Sequence, residues 1–345
     1  MRSITLFLGA LWLAIACTAS AQTAPGKMTG GIAYSLPEWF KPSLLHFKDD
    51  VEEARKQGKH VLVFLHLQEC PYCARMLKES FASAEDREFL RTHFDVIGIN
   101  VRGASEVVWI DGNTYTERSL ASHLKSFGTP TLVFLGQDGK PVLQLPGYRD
   151  PRALRHAFDY VRTRSYRGRP FAAWLESRER PVLYQLRDHP LFARAAAPNL
   201  KGYRGPIAIL FEDRYCADCE RFHERTLRHP EVIAEMKKFF FVRFDARSHY
   251  RVVDPGGKAT SPAQWVRALG LTYRPALVLY DEGREIMRID GQLYHFHFKE
   301  RLRYVSGKHY KRFESLSRYN AARRAELLEQ GIDIDYGEMK TGSGR

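Results

Sequence analysis

Cysteine is scarce in this 345-residue chain, with five residues in all: Cys17, Cys70, Cys73, Cys216 and Cys219. So few sulfurs exclude a disulfide-stapled scaffold, and the length is enough for two units that each bury an ordinary core. After the first twenty or so residues, no apolar run reaches the roughly 20 positions that a membrane-crossing helix needs. Low-complexity tracts are missing too, and the hydrophobic fraction of 44% is that of a globular protein. Acidic residues number 40 against 53 basic ones, a formal charge of +13. That excess reads as a solvated basic face, open to anionic membrane surfaces or acidic partners.

The N-terminus reads as an address. Arg2 gives a positive start, residues 4–16 are apolar, and Ala19-Ser20-Ala21 forms an A-x-A cleavage site before Gln22. A signal peptide over residues 1–21 is expected, with export to a bacterial periplasm. Ala14-Ile15-Ala16-Cys17 offers a rival lipoprotein box, which would anchor the chain at Cys17, although such boxes favour a larger aliphatic residue first. Export argues against nucleic acid as a partner, and no aromatic–basic RNA-binding pattern is present. Cleavage after Ala21 leaves four cysteines, all in two C-x-x-C pairs.

The sequence repeats itself. Residues 61–65 (VLVFL) lead into Cys70-Pro71-Tyr72-Cys73, and residues 206–211 (PIAILF) lead into Cys216-Ala217-Asp218-Cys219. Gly128-Thr129-Pro130 precedes an apolar run, as does Tyr273-Arg274-Pro275. Cys70 and Cys216 are 146 positions apart, Pro130 and Pro275 are 145 apart, and Tyr160 and Tyr304 are 144 apart. Each copy predicts a strand, a helix beginning near the cysteines, a second helix and a strand. A helix before the proline, a hairpin carrying Asp138-Gly139 or Asp281-Glu282-Gly283, and a last helix complete it. This is an α/β unit with a mixed central sheet flanked by helices. The expected division is 38–166 and 204–310 for the units, 167–203 for a helical connector packed on a domain, and 311–345 for a solvated helical tail with a disordered end.

Three roles compete for the cysteine pairs. A shared zinc site is disfavoured because 142 residues separate Cys73 from Cys216. No metal and no cofactor is implied, and His295-Phe296-His297 reads as strand alternation. A static bridge across a C-x-x-C loop constrains the unfolded chain little. A cysteine at a strand-to-helix junction, however, meets unpaired N–H groups and a positive helix end, which can draw a thiol pKa from about 8.5 to roughly 3.5–7. Cys70 and Cys216 are then expected to be exposed nucleophiles, with Cys73 and Cys219 as resolving thiols.

A strand, a C-x-x-C pair, a helix, and an X-Pro before a hairpin about 60 residues later together resemble the thioredoxin fold, here twice in tandem. The resemblance implies a cis-proline beside the disulfide, at Pro130 and Pro275. It also implies a substrate groove shaped by Pro71, Tyr72, Thr129, Pro130, Arg274 and Pro275. Over residues 39–164, Trp39-Phe40-Lys41, Cys70-Pro71-Tyr72-Cys73, Tyr115-Thr116-Glu117, Gly128-Thr129-Pro130-Thr131 and Leu145-Pro146-Gly147-Tyr148 resemble periplasmic thioredoxins of sulfur-oxidation systems. Phe64 and Leu210 stand where cytoplasmic relatives keep a buried acid, so proton transfer must use water or another group such as Glu69 or Glu212. Arg274 favours a Cys216 thiolate while Asp218 opposes it. His66 and His223 flank the motifs and read first as packed or solvated side chains.

A periplasmic thiol:disulfide oxidoreductase is expected, acting on protein thiols and disulfides and recharged by a membrane-bound electron donor or acceptor. The alternative is a non-catalytic binding or chaperone module in a periplasmic assembly.

Overall fold

The structure, a computed structural model, describes residues 24–126, 128–178, 180–193 and 199–337. The signal peptide, Cys17 and the end of the tail lie outside the described residues.

In chain order, β1 (Met28–Thr29) precedes α1 (Phe47–Lys56), β2 (His60–His66), α2 (Pro71–Ser80), α3 (Ala84–His93) and β3 (Phe94–Asn100). The hairpin β4 (Glu106–Val108) and β5 (Thr114–Thr116) runs into α4 (Glu117–His123). Strands β6 (Thr131–Leu135) and β7 (Pro141–Pro146) and helix α5 (Pro151–Arg162) close the first unit, and α6 (Phe171–Glu176) follows. The second unit contains β8 (Ile207–Glu212), α7 (Cys219–Arg221), α8 (Pro230–Met236), β9 (Phe240–Asp245), β10 (Val252–Val253) and β11 (Ala259–Thr260). It ends with α9 (Pro262–Leu269), β12 (Ala276–Asp281), β13 (Arg284–Ile289) and α10 (His295–Ser306). Beyond it lie α11 (Leu316–Glu329) and β14 (Ile334–Asp335).

The two sheets have the same topology, β3-β2-β6-β7 and β9-β8-β12-β13. In each, the first two neighbours are parallel and the other pairings antiparallel. Both faces of β2 are covered. Leu62 and Phe64 pack with Phe134 and Phe158 on one face, while Val61, Val63 and Leu65 pack with Phe47, Ile97 and Leu120 on the other. A strand buried on both faces is apolar throughout instead of alternating, which explains VLVFL. The hairpin turns need left-handed residues, and Gly139 (φ 81°) and Gly283 (φ 76°) supply them.

Three expectations are corrected. Among its described residues the connector is helical only at α6; between Pro181 and Ala193 it forms neither helix nor strand, its Leu183 and Tyr184 N–H groups both donating to Arg214 O. The tail is not simply solvated. Tyr319 and Leu327 of α11 are buried, Ile334 packs with Phe296 and Leu327, and β14 pairs in parallel with β1. His295-Phe296-His297 forms the first turn of α10 and not a strand, because Phe298, Leu302 and Val305 recur at helical spacing and bury against the second sheet.

Candidate active sites

Cys70 is the N-cap of α2, with Pro71 in the first turn, where its missing N–H leaves no donor unused. Cys70 and Cys73 form a disulfide. The Cys70 sulfur accepts from Cys73 N at 3.1 Å and from Thr129 Oγ1 at 3.4 Å, and lies 3.7 Å from Thr129 O. Thr129-Pro130 is a cis peptide, as is Arg274-Pro275. The local geometry is therefore a sulfur at a helix end with two donors aimed at it, beside a backbone carbonyl.

Cys70 does not stand free in solvent. It is 5% exposed and Cys73 0%. The cover comes from the second unit. Tyr72 stacks on Tyr294 at 4.4 Å, its hydroxyl accepts from Tyr294 N at 2.8 Å, and it bonds His297 Nδ1 at 3.2 Å. Burial pushes the His297 pKa down to about 3, so the ring is neutral. Arg75, one turn after the pair, donates to Gln292 Oε1 at 2.5 Å and approaches Asp218 at 4.0 Å. Pro71 is buried with the pair. His66 is half-buried and held by Tyr34 at 2.9 Å, and burial lowers its pKa. Glu69, one of the acids considered for proton transfer, is exposed.

The second pair differs in kind. Cys216 and Cys219 are also joined, but the helix begins only at Cys219 and its first turn passes into a π-helical turn over Phe222–Thr226. Cys216, 3% exposed, is thus no helix cap. Asp218, between the cysteines, is bound by the Tyr273 hydroxyl and by Arg221. Arg274 is held by Asp213 at 3.3 Å and donates to Tyr273 O at 2.7 Å, so its charge is already engaged. Glu212, the other acid considered for proton transfer, is fully buried against His223, which bonds its Oε1 at 2.8 Å, while Oε2 is without a hydrogen bond.

Sequence reasoning missed the residues that roof these sites. Tyr184, from the irregular connector, packs directly on Cys216 and Cys219. Arg187 ties that segment down to Glu220 and Glu224. Cys216 lines a cavity of about 80 Å³ with Arg152 and His156 of α5, whereas Cys70 lines a different one of about 270 Å³ with His297 and Arg301 of α10. Each pair therefore faces the last helix of the opposite unit. No local pattern encodes a contact between residues more than two hundred positions apart.

A family model described as a thioredoxin-like domain matches residues 47–162 and again 194–306. No curated protein matches the chain. Similar solved structures include a thioredoxin-fold protein from Helicobacter pylori, 22% identical, covering 35% of this chain and 81% of that one at a TM-score of 0.31. A disulphide isomerase from Xylella fastidiosa Temecula1 is 20% identical over 37% of this chain and 87% of its own, with a TM-score of 0.22. The alkylhydroperoxide reductase AhpF from Enterococcus faecalis is 14% identical over 77% of this chain and 100% of its own, with a TM-score of 0.27. Matched over more than half its length, the chain belongs to the thioredoxin-like domain family in tandem, and its two C-x-x-C disulfides make it a thiol–disulfide oxidoreductase.

Proposed function

We propose that the chain exchanges disulfides with protein thiols in the periplasm, with Cys70 as the exchanging sulfur and Cys73 as the resolving one. The observation that carries this is the Cys70 sulfur at the α2 N-cap, within reach of Cys73 N and Thr129 Oγ1. Both donors, and the helix end, stabilise a thiolate more than a thiol. In reduction, the Cys70 thiolate attacks a partner disulfide and expels one partner thiolate. Cys73 then gives up its proton, attacks Cys70 and releases the second partner sulfur. The carbonyl of Thr129, beside the sulfur, is placed to receive a backbone N–H of an extended partner segment.

The signal-like residues 1–21 support export, and the resemblance to sulfur-oxidation thioredoxins supports a periplasmic partner recharged at the membrane. Cys216, without a helix cap and roofed by Tyr184, supports a subordinate role for the second pair. A binding module is the second reading, favoured by the burial of both pairs. Insulin reduction decides between them. Cys70→Ser is expected to abolish turnover and Cys73→Ser to trap a mixed disulfide, with a smaller effect from Cys216→Ser. Turnover unaffected by Cys70→Ser overturns the proposal.

A further inference from the structure

The cavity over Cys70 takes its walls from three parts of the chain: Thr129 and Arg102 of the first unit, His297 and Arg301 of α10, and Arg324 and Tyr336 from α11 and the tail. Three of those six residues are arginines. Arg301 is half-buried, donates to His297 O at 3.3 Å, and among the described residues has no carboxylate partner. Desolvation pushes its pKa down to about 10, which leaves it charged at neutral pH. Half-buried Arg324 and exposed Arg102 likewise have no carboxylate partner among the described residues. Other arginines, such as Arg187, Arg267, Arg288 and Arg303, are matched by glutamates. Among the described residues Glu69 is the one acid in the cavity wall, and it is exposed.

A partly desolvated cation without a counter-charge is unfavourable until a ligand brings one. Here two such cations, Arg301 and Arg324, line the cavity that holds one exchangeable sulfur, with exposed Arg102 in the same wall. We infer that this cavity selects compounds whose reacting sulfur is flanked by carboxylates, carried by a low-molecular-weight thiol or by an acidic peptide segment. The inference rests on the oxidoreductase reading and adds its substrate class. The carboxylates settle on Arg301 and Arg324, and the near sulfur meets Cys70. The Cys70 thiolate breaks the substrate S–S bond and a carboxylated thiolate leaves, taking a proton from water. Cys73 loses its proton, forms the S–S bond to Cys70, and expels the second thiolate, which takes that proton. The protein dithiol is oxidised by two electrons and the substrate disulfide becomes two thiols.

The test uses full-length protein with Cys216 and Cys219 replaced by serine, reduced, then oxidised by three disulfides of similar size. These are anionic dithiodipropionate, neutral dithiodiethanol and cationic cystamine. The anionic compound is expected to react about tenfold faster than the neutral one, with cystamine slowest and added salt narrowing the spread. Arg301→Gln and, separately, Arg324→Gln should each bring the anionic rate down toward the neutral rate of the same variant. Equal rates for the three, or a preference that survives both variants, overturn the inference while leaving exchange at Cys70 intact. Failure of all three disulfides to react sinks the oxidoreductase reading instead. A disulfide-linked Glu-Cys-Glu dimer supplies the carrier arm: outpacing dithiodipropionate, it supports an acidic peptide, and lagging, a small thiol.

Discussion

Thr129 meets the Cys70 sulfur through its hydroxyl as well as its carbonyl, and the hydroxyl is the part a substitution can remove. A hydrogen bond to a charged acceptor contributes roughly 1.5–3 kcal/mol, so Thr129→Val should raise the Cys70 thiol pKa by about one unit or more. Thiolate absorbance during a pH titration of the reduced protein checks it; an unchanged midpoint removes Thr129 from the site. His60 gives a second residue-scale prediction. At the start of β2 it is buried beside Tyr166, and burial, helped by Arg164 and Arg167, pushes its pKa from 6.5 down to about 4. The unfolded chain therefore binds a proton that the native one refuses between those values. The His60 contribution to stability is complete above pH 6.5 and falls as pH drops toward 4. Urea midpoints across that window should fall in the parent, and fall less in His60→Gln.

Between the two C-x-x-C elements the contrast is one of helix geometry. Cys70 caps a regular ten-residue helix, whereas Cys216 precedes a three-residue helix that loosens into a π-turn at once. His223 lies inside that π-turn and holds Glu212 of β8. The helix end and capped N–H groups favour a thiolate at Cys70 and not at Cys216. In fully reduced, full-length protein, Cys70 should be alkylated by iodoacetamide at neutral pH about tenfold faster than Cys216. Equal rates would refute a special role for the cap. The sheets, the motifs and the prolines were legible because strand runs, C-x-x-C spacing and X-Pro recur in both halves at nearly constant offset. The helix after Cys216 was not. Phe222 and Leu227 suggest a regular helix, whereas a π-helical turn covers Phe222–Thr226 and carries His223, which bonds the buried Glu212 eleven residues before it. The roof over Cys216 was hidden for a related reason: Tyr184 belongs to a stretch without regular structure and therefore without a period to read.

Across the whole molecule, the two units meet through equivalent loops. Gly147 and Gly291, 144 positions apart, lie against each other, and Arg149, 2% exposed, crosses the contact to donate to Asp290 O at 2.7 Å while lying 4.9 Å from the Tyr273 ring. The same contact brings Tyr294 onto Tyr72, so it also sets how much of the Cys70 pair a partner can reach. Gly291 is the narrow point. A Cβ there would lie 2.7 Å from Pro146 O and 3.3 Å from the Gly147 Cα, both rigid backbone. Gly291→Ala should therefore push the units apart instead of being absorbed by a side chain, weakening the contact by roughly 1–3 kcal/mol. If the second unit limits access to Cys70, the variant should reduce insulin severalfold faster, while its rate with a disulfide small enough for the closed cavity stays near that of the parent. Solution scattering on the same sample reads the opening directly. A larger radius of gyration with unchanged insulin turnover would mean that the contact between the halves does not gate the sulfur, and that protein substrates reach Cys70 by another route.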